Sequence, residues 1–204
     1  EHTVGGLSEN LIRPHASDAG NVGLQLRSTA ELGVALRQLT CEDITPSYML
    51  TDGTLSLPFV DKRNQSLFYE HLKRLCCVEA RKRNIGFFAL SKSHGLPSMD
   101  LIEELAREKA GLEKGKIAEH WCLRLPVPGQ DDWEFSLVHG RRLPPPGAVT
   151  YLVRFHRTTP VMRLDMDRQF WRDRVQGTTP AQTEHNEQRI LGDLDYASHD
   201  QRCY

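Results

Sequence analysis

The chain has 204 residues, of which 39% are hydrophobic and 26% are charged, and its formal net charge is −1. This composition is that of a folded globular protein and excludes intrinsic disorder, and no apolar run approaches the roughly 18 residues of a membrane-spanning helix. The near-neutral charge gives no support to nucleic-acid binding by the whole chain, so such a function would need a local basic surface. The five cysteines are odd in number and lack zinc-ligand spacing, and Cys76 and Cys77 are adjacent in a helical pattern. This pattern argues against a disulfide framework and favours a reducing compartment such as the cytoplasm.

Hydrophobic periodicity predicts alternating helices and strands in the first half of the chain. Residues 1–27 are rich in small and polar residues and are interpreted as an irregular N-terminal segment. The predicted elements that follow are a helix from Ser28, strands at 48–50 and 55–57, a helix at 65–83, a strand at 85–90 and a helix at 98–110. This order of helix, strand and helix predicts an α/β fold.

The second half of the chain is predicted to contain more strands. Strands are expected at 120–125 and 133–139, and three consecutive prolines predict a loop through 141–147. Residues 150–155 and 161–166 are expected to form an additional β-hairpin, and a short helix is expected near 188–196.

Asp52 follows a short apolar strand and precedes Gly53, and this pattern has two interpretations. Nucleases that use divalent metals place carboxylates at strand ends, because a rigid backbone holds their hard oxygen ligands near the ion. However, Asp-Gly is also a favoured two-residue hairpin turn. Short motifs carry a high false-positive risk, so the residues alone leave both interpretations open.

Two further residues have a functional and a plain interpretation. Glu31 could bind the same ion as Asp52, or it could complete a capping box in which Ser28 is the first residue. Lys92 follows the strand at 85–90 and could contact a phosphate, or it could be a solvated loop lysine.

Residues 151–174 are locally basic and contain interleaved aromatic residues. The segment has six arginines and three aspartates. This pattern suits a path for a DNA backbone, with Arg154 and Arg163 as candidate phosphate contacts, but a hairpin and helix with solvated charges would have the same composition.

Several short motifs, in this order, resemble the NurA nuclease domain family. Tyr-Met-Leu-Thr-Asp-Gly-Thr-Leu at 48–55 is similar to the family's apolar strand and Asp-Gly-Ser/Thr-Leu motif. The family continues with a helix and a strand that leads to a Ser-Lys loop, which correspond to residues 65–83 and 86–93. Ala-Glu-Leu at 30–32 matches a helix that carries a catalytic Glu.

The family also has two late strands, the second of which carries an arginine and an acid. Tyr-Leu-Val-Arg-Phe at 151–155 and Pro-Val-Met-Arg-Leu-Asp at 160–165 look like that pair. The resemblance therefore runs from residue 28 to the C-terminus, and its order and spacing carry the argument because each motif is short.

The resemblance implies an RNase H-like mixed sheet flanked by helices and hydrolysis of DNA phosphodiesters that depends on Mn²⁺ or Mg²⁺. It implies a 5′-to-3′ exonuclease with single-strand endonuclease activity that acts in DNA end resection. Asp52 and Glu31 would bind the metal, and Lys92 would contact phosphate. Family members form homodimers and work with the hexameric ATPase HerA, so DNA, a second copy of the chain and a HerA-type ATPase are the expected partners.

Two family motifs are absent from the chain. No Asp-Gly-Ser precedes the position of Glu31, and no Gly-Tyr-Pro segment with a following histidine helix occurs before Tyr204. We therefore expect residues 28–204 to be a fragment of a longer nuclease domain with both ends incomplete. The alternative function is a non-catalytic NurA-like scaffold that keeps the fold and a HerA-binding surface.

Overall fold

The computed structural model describes residues 19–43, 46–55, 65–92, 120–125, 137–138, 141–142, 147–156 and 159–198. The helices within these residues are α1 (Ala19–Thr40), α2 (Gln65–Lys82), α3 (Arg168–Arg174) and α4 (Pro180–Ser198). The strands are β1 (Tyr48–Asp52), β2 (Gly86–Ser91), β3 (Trp121–Arg124), β4 (Leu137–Val138), β5 (Arg141–Arg142), β6 (Ala148–Arg154) and β7 (Met162–Asp167).

The described strands form a five-stranded mixed sheet with the order β1-β2-β7-β6-β3. Strand β7 is antiparallel to both β2 and β6, and β6 is antiparallel to β3. At the starts of β1 and β2 the Gly86 N–H donates to the Ser47 carbonyl, and at their ends the Gly53 N–H donates to the Leu90 carbonyl. These two strands are therefore parallel, and helix α2 connects them as a crossover. The predicted α/β fold is confirmed.

Most predicted elements within the described residues are present, and the largest differences are two helix starts and one predicted loop. Helix α1 begins at Ala19 and α4 begins at Pro180, both earlier than predicted, so residues 19–27 are helical and not irregular. Residues 141–142 form a short strand with β4 where a loop was expected. Helix propensity is a weak prior that the surrounding structure overrides, which explains the early starts in polar and glycine-containing sequence. The helix predicted at 98–110 lies outside the described residues, and so does the strand predicted at 133–139 except for residues 137–138, which form β4.

The chain divides into two compact units. The first comprises Glu1–Thr51 and Leu57–Phe87, and the second comprises Asp52–Ser56 and Phe88–Tyr204. In the first unit, apolar residues of α1 and α2 are buried, among them Leu39 and Cys76, and the Cys76 thiol donates to the Leu32 carbonyl over 3.5 Å. Burial raises the pKa of Cys76 to about 11, so the thiol is neutral and serves as a core residue.

In the second unit, the hairpin of β6 and β7 forms the core. Every residue of β7 and all but the last residue of β6 are buried, which is typical of strands covered on both faces. Phe170 of α3 packs edge-on against Phe88 of β2, with ring centroids 5.7 Å apart. Helix α3 follows β7 directly because the Asp167 carboxylate caps it, accepting from the Phe170 N–H over 3.0 Å.

Candidate functional site

Asp52 is the last residue of β1, and its side chain is exposed. Gly53 has a φ of +99°, which glycine tolerates best, and its N–H donates to the Leu90 carbonyl over 2.9 Å. A type I′ turn would need a positive φ at both Asp52 and Gly53, but among the described residues Asn84 is the one non-glycine residue with a positive φ. The type I′ hairpin-turn interpretation of Asp52 is therefore wrong.

Lys92 lies at the same end of the sheet as Asp52. It follows the last residue of β2, and its side chain is exposed. Because β1 and β2 are parallel, their carboxyl ends meet at one edge, where open α/β sheets commonly bind ligands. The strand that Asp52 ends, β1, stands at the end of the sheet order among the described strands.

Glu31 lies within α1, in the first unit. Its carboxylate forms an ion pair with Arg27, one helical turn earlier, with 3.0 Å between Oε1 and Nε. The Glu31 side chain is 40% exposed. Because α1 starts at Ala19, Ser28 is inside the helix and the capping-box interpretation of Ser28 and Glu31 is wrong.

The acidic side chains of the described residues do not by themselves form a complete metal site. No group of three or more His, Cys, Asp or Glu side chains that could hold an ion occurs among them. Asp52 can offer one exposed carboxylate at the sheet edge, and Mg²⁺ is often held by one or two carboxylates together with substrate phosphates.

The two arginines predicted to contact DNA lie in different surroundings. Arg154 ends β6 and is half-buried. Arg163 is only 3% exposed, and its guanidinium forms two hydrogen bonds of 2.9 Å to the carboxylate of Asp165. The guanidinium of Arg163 is thus engaged inside the protein and does not face solvent.

Asp165 is the residue of this region that sequence reasoning did not single out as a site residue. It is fully buried, and besides Arg163 it accepts hydrogen bonds from the Thr150 hydroxyl and the Leu55 N–H. The available signal in the sequence was the spacing of Arg163 and Asp165, which are two residues apart in a predicted strand and therefore lie on one face of it. The sequence did not indicate that this face is buried.

A second polar cluster lies in a cleft of about 760 Å³ between β3 and the start of α4. The Trp171 indole N–H donates to the Tyr151 hydroxyl, which donates to Glu187, each over 2.7 Å. The Arg124 guanidinium forms a 3.0 Å ion pair with Glu187 and lies 5.2 Å from the centre of the Trp171 ring. Burial and the Glu187 carboxylate raise the pKa of Tyr151, which favours the neutral hydroxyl that donates to Glu187.

No family model, curated protein or solved structure matches the chain. Among the described residues, no helix combines the length and the apolar character that crossing a membrane requires.

Proposed function

We propose that the chain is part of a divalent-metal-dependent deoxyribonuclease with an RNase H-like fold. The observation that carries this proposal is the exposed Asp52 carboxylate at the carboxyl end of β1, outside a type I′ turn and beside the strand that leads to Lys92. This position of an exposed carboxylate at a strand end supports the interpretation of the NurA-like motif as a metal ligand.

In this proposal each residue has one task. Asp52 offers a hard oxygen ligand to Mn²⁺ or Mg²⁺, and Glu31 has the ligand role that the resemblance implies. The bound ion would activate water and stabilise the leaving oxygen. Lys92 would contact the phosphate whose charge develops during cleavage.

The same proposal includes the DNA and protein partners. Arg154 is proposed to contact the DNA backbone, whereas Arg163 is not, because its guanidinium is bound to Asp165. The resemblance further implies a cytoplasmic homodimer that works with a HerA-type ATPase in end resection. The substrate would be a DNA strand cut in the 5′-to-3′ direction or within single-stranded regions.

Asp52→Asn in the full-length protein tests the proposal. The substitution is nearly isosteric and removes one negative charge from the proposed ligand set, so we expect cleavage of labelled DNA in saturating Mn²⁺ to be lost while the melting temperature is unchanged. Asp43→Asn is the matched control, because Asp43 is an exposed loop aspartate and the chemical change is the same.

Full cleavage by the Asp52→Asn protein would remove Asp52 from the catalytic machinery. Absence of cleavage in the unaltered full-length protein, under conditions in which it binds DNA, would instead favour the non-catalytic scaffold.

A further inference from the structure

The centre of the second unit contains a buried ion pair. Arg163 and Asp165 are 3% and 0% exposed and lie on the same face of β7. Arg163 Nε donates to Oδ1 of Asp165 and Nη2 donates to Oδ2, both over 2.9 Å. This bidentate geometry fixes the plane of the Asp165 carboxylate.

The remaining acceptor positions of the carboxylate are also filled. The Thr150 hydroxyl, from the residue paired with Asp165 across the hairpin, donates to Oδ1 over 2.7 Å. The Leu55 N–H donates to Oδ2 over 3.0 Å. Each oxygen therefore accepts two hydrogen bonds, which is the full capacity of a carboxylate.

Three of these four donors come from the hairpin, and Leu55 is the exception. Leu55 belongs to the segment that follows β1, and it is 110 residues from Asp165 in the sequence. The same segment is bound at Gly53, whose N–H donates to the Leu90 carbonyl of β2. The segment is therefore held at β2 through Gly53 and at β7, the next strand in the sheet, through Leu55.

We propose that Asp165 is a positioning residue that holds residues 53–55 and thereby fixes Asp52 at the end of β1. Arg163 and Thr150 orient the Asp165 carboxylate, and the carboxylate orients the Leu55 N–H. A carboxylate that must act in a site needs such support, because an error of about 1 Å in its placement reduces function. The consequence for cleavage rests on the proposed nuclease function, whereas the anchoring of the segment does not.

Leu55→Pro removes the amide donor and leaves the buried ion pair intact, while Leu55→Ala keeps the amide and is the matched control. We expect hydrogen exchange at the Gly53 and Thr54 amides to become about tenfold faster in Leu55→Pro, which is the change expected for loss of one hydrogen bond. We expect DNA cleavage to fall by a similar factor or more, with a melting temperature only a few degrees lower, and Leu55→Ala to resemble the unaltered protein.

The two readouts separate the two proposals. Unchanged exchange at Gly53 and Thr54 in Leu55→Pro would overturn the anchor. The positioning role would be overturned if Leu55→Pro showed faster exchange but cleaved DNA as well as Leu55→Ala does. If Asp52→Asn abolished cleavage at the same time, the proposed function would remain intact. Full cleavage by Asp52→Asn would overturn the proposed function, and the exchange data would still decide whether the anchor exists.

If Leu55→Pro does not fold, Arg163→Leu with Asp165→Asn replaces it, because removing both charges leaves neither of them buried without a partner. Asn weakens the acceptor of the Leu55 N–H, so exchange of the Leu55 amide is expected to accelerate about tenfold. Thr150→Val removes one donor to the carboxylate but keeps the charged acceptor of the Leu55 N–H, so it should accelerate Leu55 exchange to a smaller extent. Equal Leu55 exchange in these two variants would overturn the inference.

Discussion

At the scale of single residues, the pairing of Arg163 with Asp165 shows that a basic residue in an arginine-rich segment can belong to the interior. Burying the two charges is costly, and the bidentate contact and the two further donors offset that cost. Removal of one partner would leave the other charge buried without compensation.

We expect Arg163→Leu to lower the free energy of unfolding by about 3–5 kcal/mol, because Asp165 would remain charged in a buried site. The double variant Arg163→Leu with Asp165→Leu should recover a large part of this loss, since it removes both charges. Chemical denaturation of the two variants gives the comparison. A stability of Arg163→Leu equal to that of the unaltered protein would show that Arg163 is accessible to solvent and ligands.

The sequence predicted the position of Asp52 at a strand end, but it did not predict the surroundings of Glu31 and Arg163. Asp52 was expected at a strand end because the apolar run and the following glycine are local features. The interpretation of Glu31 as a capping residue failed because the start of α1 depends on residues before Ser28 with weak helix preference. The partner of Arg163 depended on which face of β7 is buried, and this is a property of the assembled sheet.

At the scale of elements, the end of α2 has a Schellman arrangement. The Ile85 N–H donates to the Ala80 carbonyl over 2.8 Å and the Asn84 N–H donates to the Arg81 carbonyl over 3.1 Å. Asn84 has a φ of 60°, the left-handed conformation that this motif requires. The Arg83 side chain also donates to the carbonyls of Leu39 and Cys41 at the end of α1, so one short segment terminates both helices.

We expect Asn84→Ala to destabilise the protein by about 1 kcal/mol, because alanine tolerates the left-handed conformation less well than asparagine. Asn84→Gly is the control and should change stability by less than about 0.5 kcal/mol, since glycine adopts positive φ readily but increases the entropy of the unfolded chain. Thermal denaturation of both variants provides the measurement. If the Asn84→Ala protein were as stable as the Asn84→Gly protein, the left-handed conformation of residue 84 would not be what stabilises the end of α2.

At the scale of the whole molecule, the charge that could attract DNA is distributed unevenly. The net charge is −1, so binding would depend on a local surface. Within residues 151–174, Arg163 is buried, Arg154 is half-buried, and Arg172 and Arg174 in the last turn of α3 are exposed. The exposed pair is therefore better placed for a phosphate contact than the arginines in the strands.

Substitution of both Arg172 and Arg174 by Gln should weaken DNA binding and reduce the slope of log affinity against log salt by up to about 1.8, since each lost contact contributes about 0.9. The matched control is Arg37→Gln with Arg74→Gln, two exposed arginines of the first unit. Fluorescence anisotropy over a range of salt concentrations measures both slopes. Equal slopes for the two double variants would place the DNA path away from α3.

The sequence by itself determined where α2, β2 and the hairpin of β6 and β7 lie, together with the α/β class. These elements have strong periodicity and turn residues at their ends, and both features act between neighbouring residues. Only the tertiary structure decided that Arg163 binds Asp165 and that Leu55 completes that site. These contacts join segments far apart in the chain, and their geometry arises from strand order and burial, which local preferences do not encode.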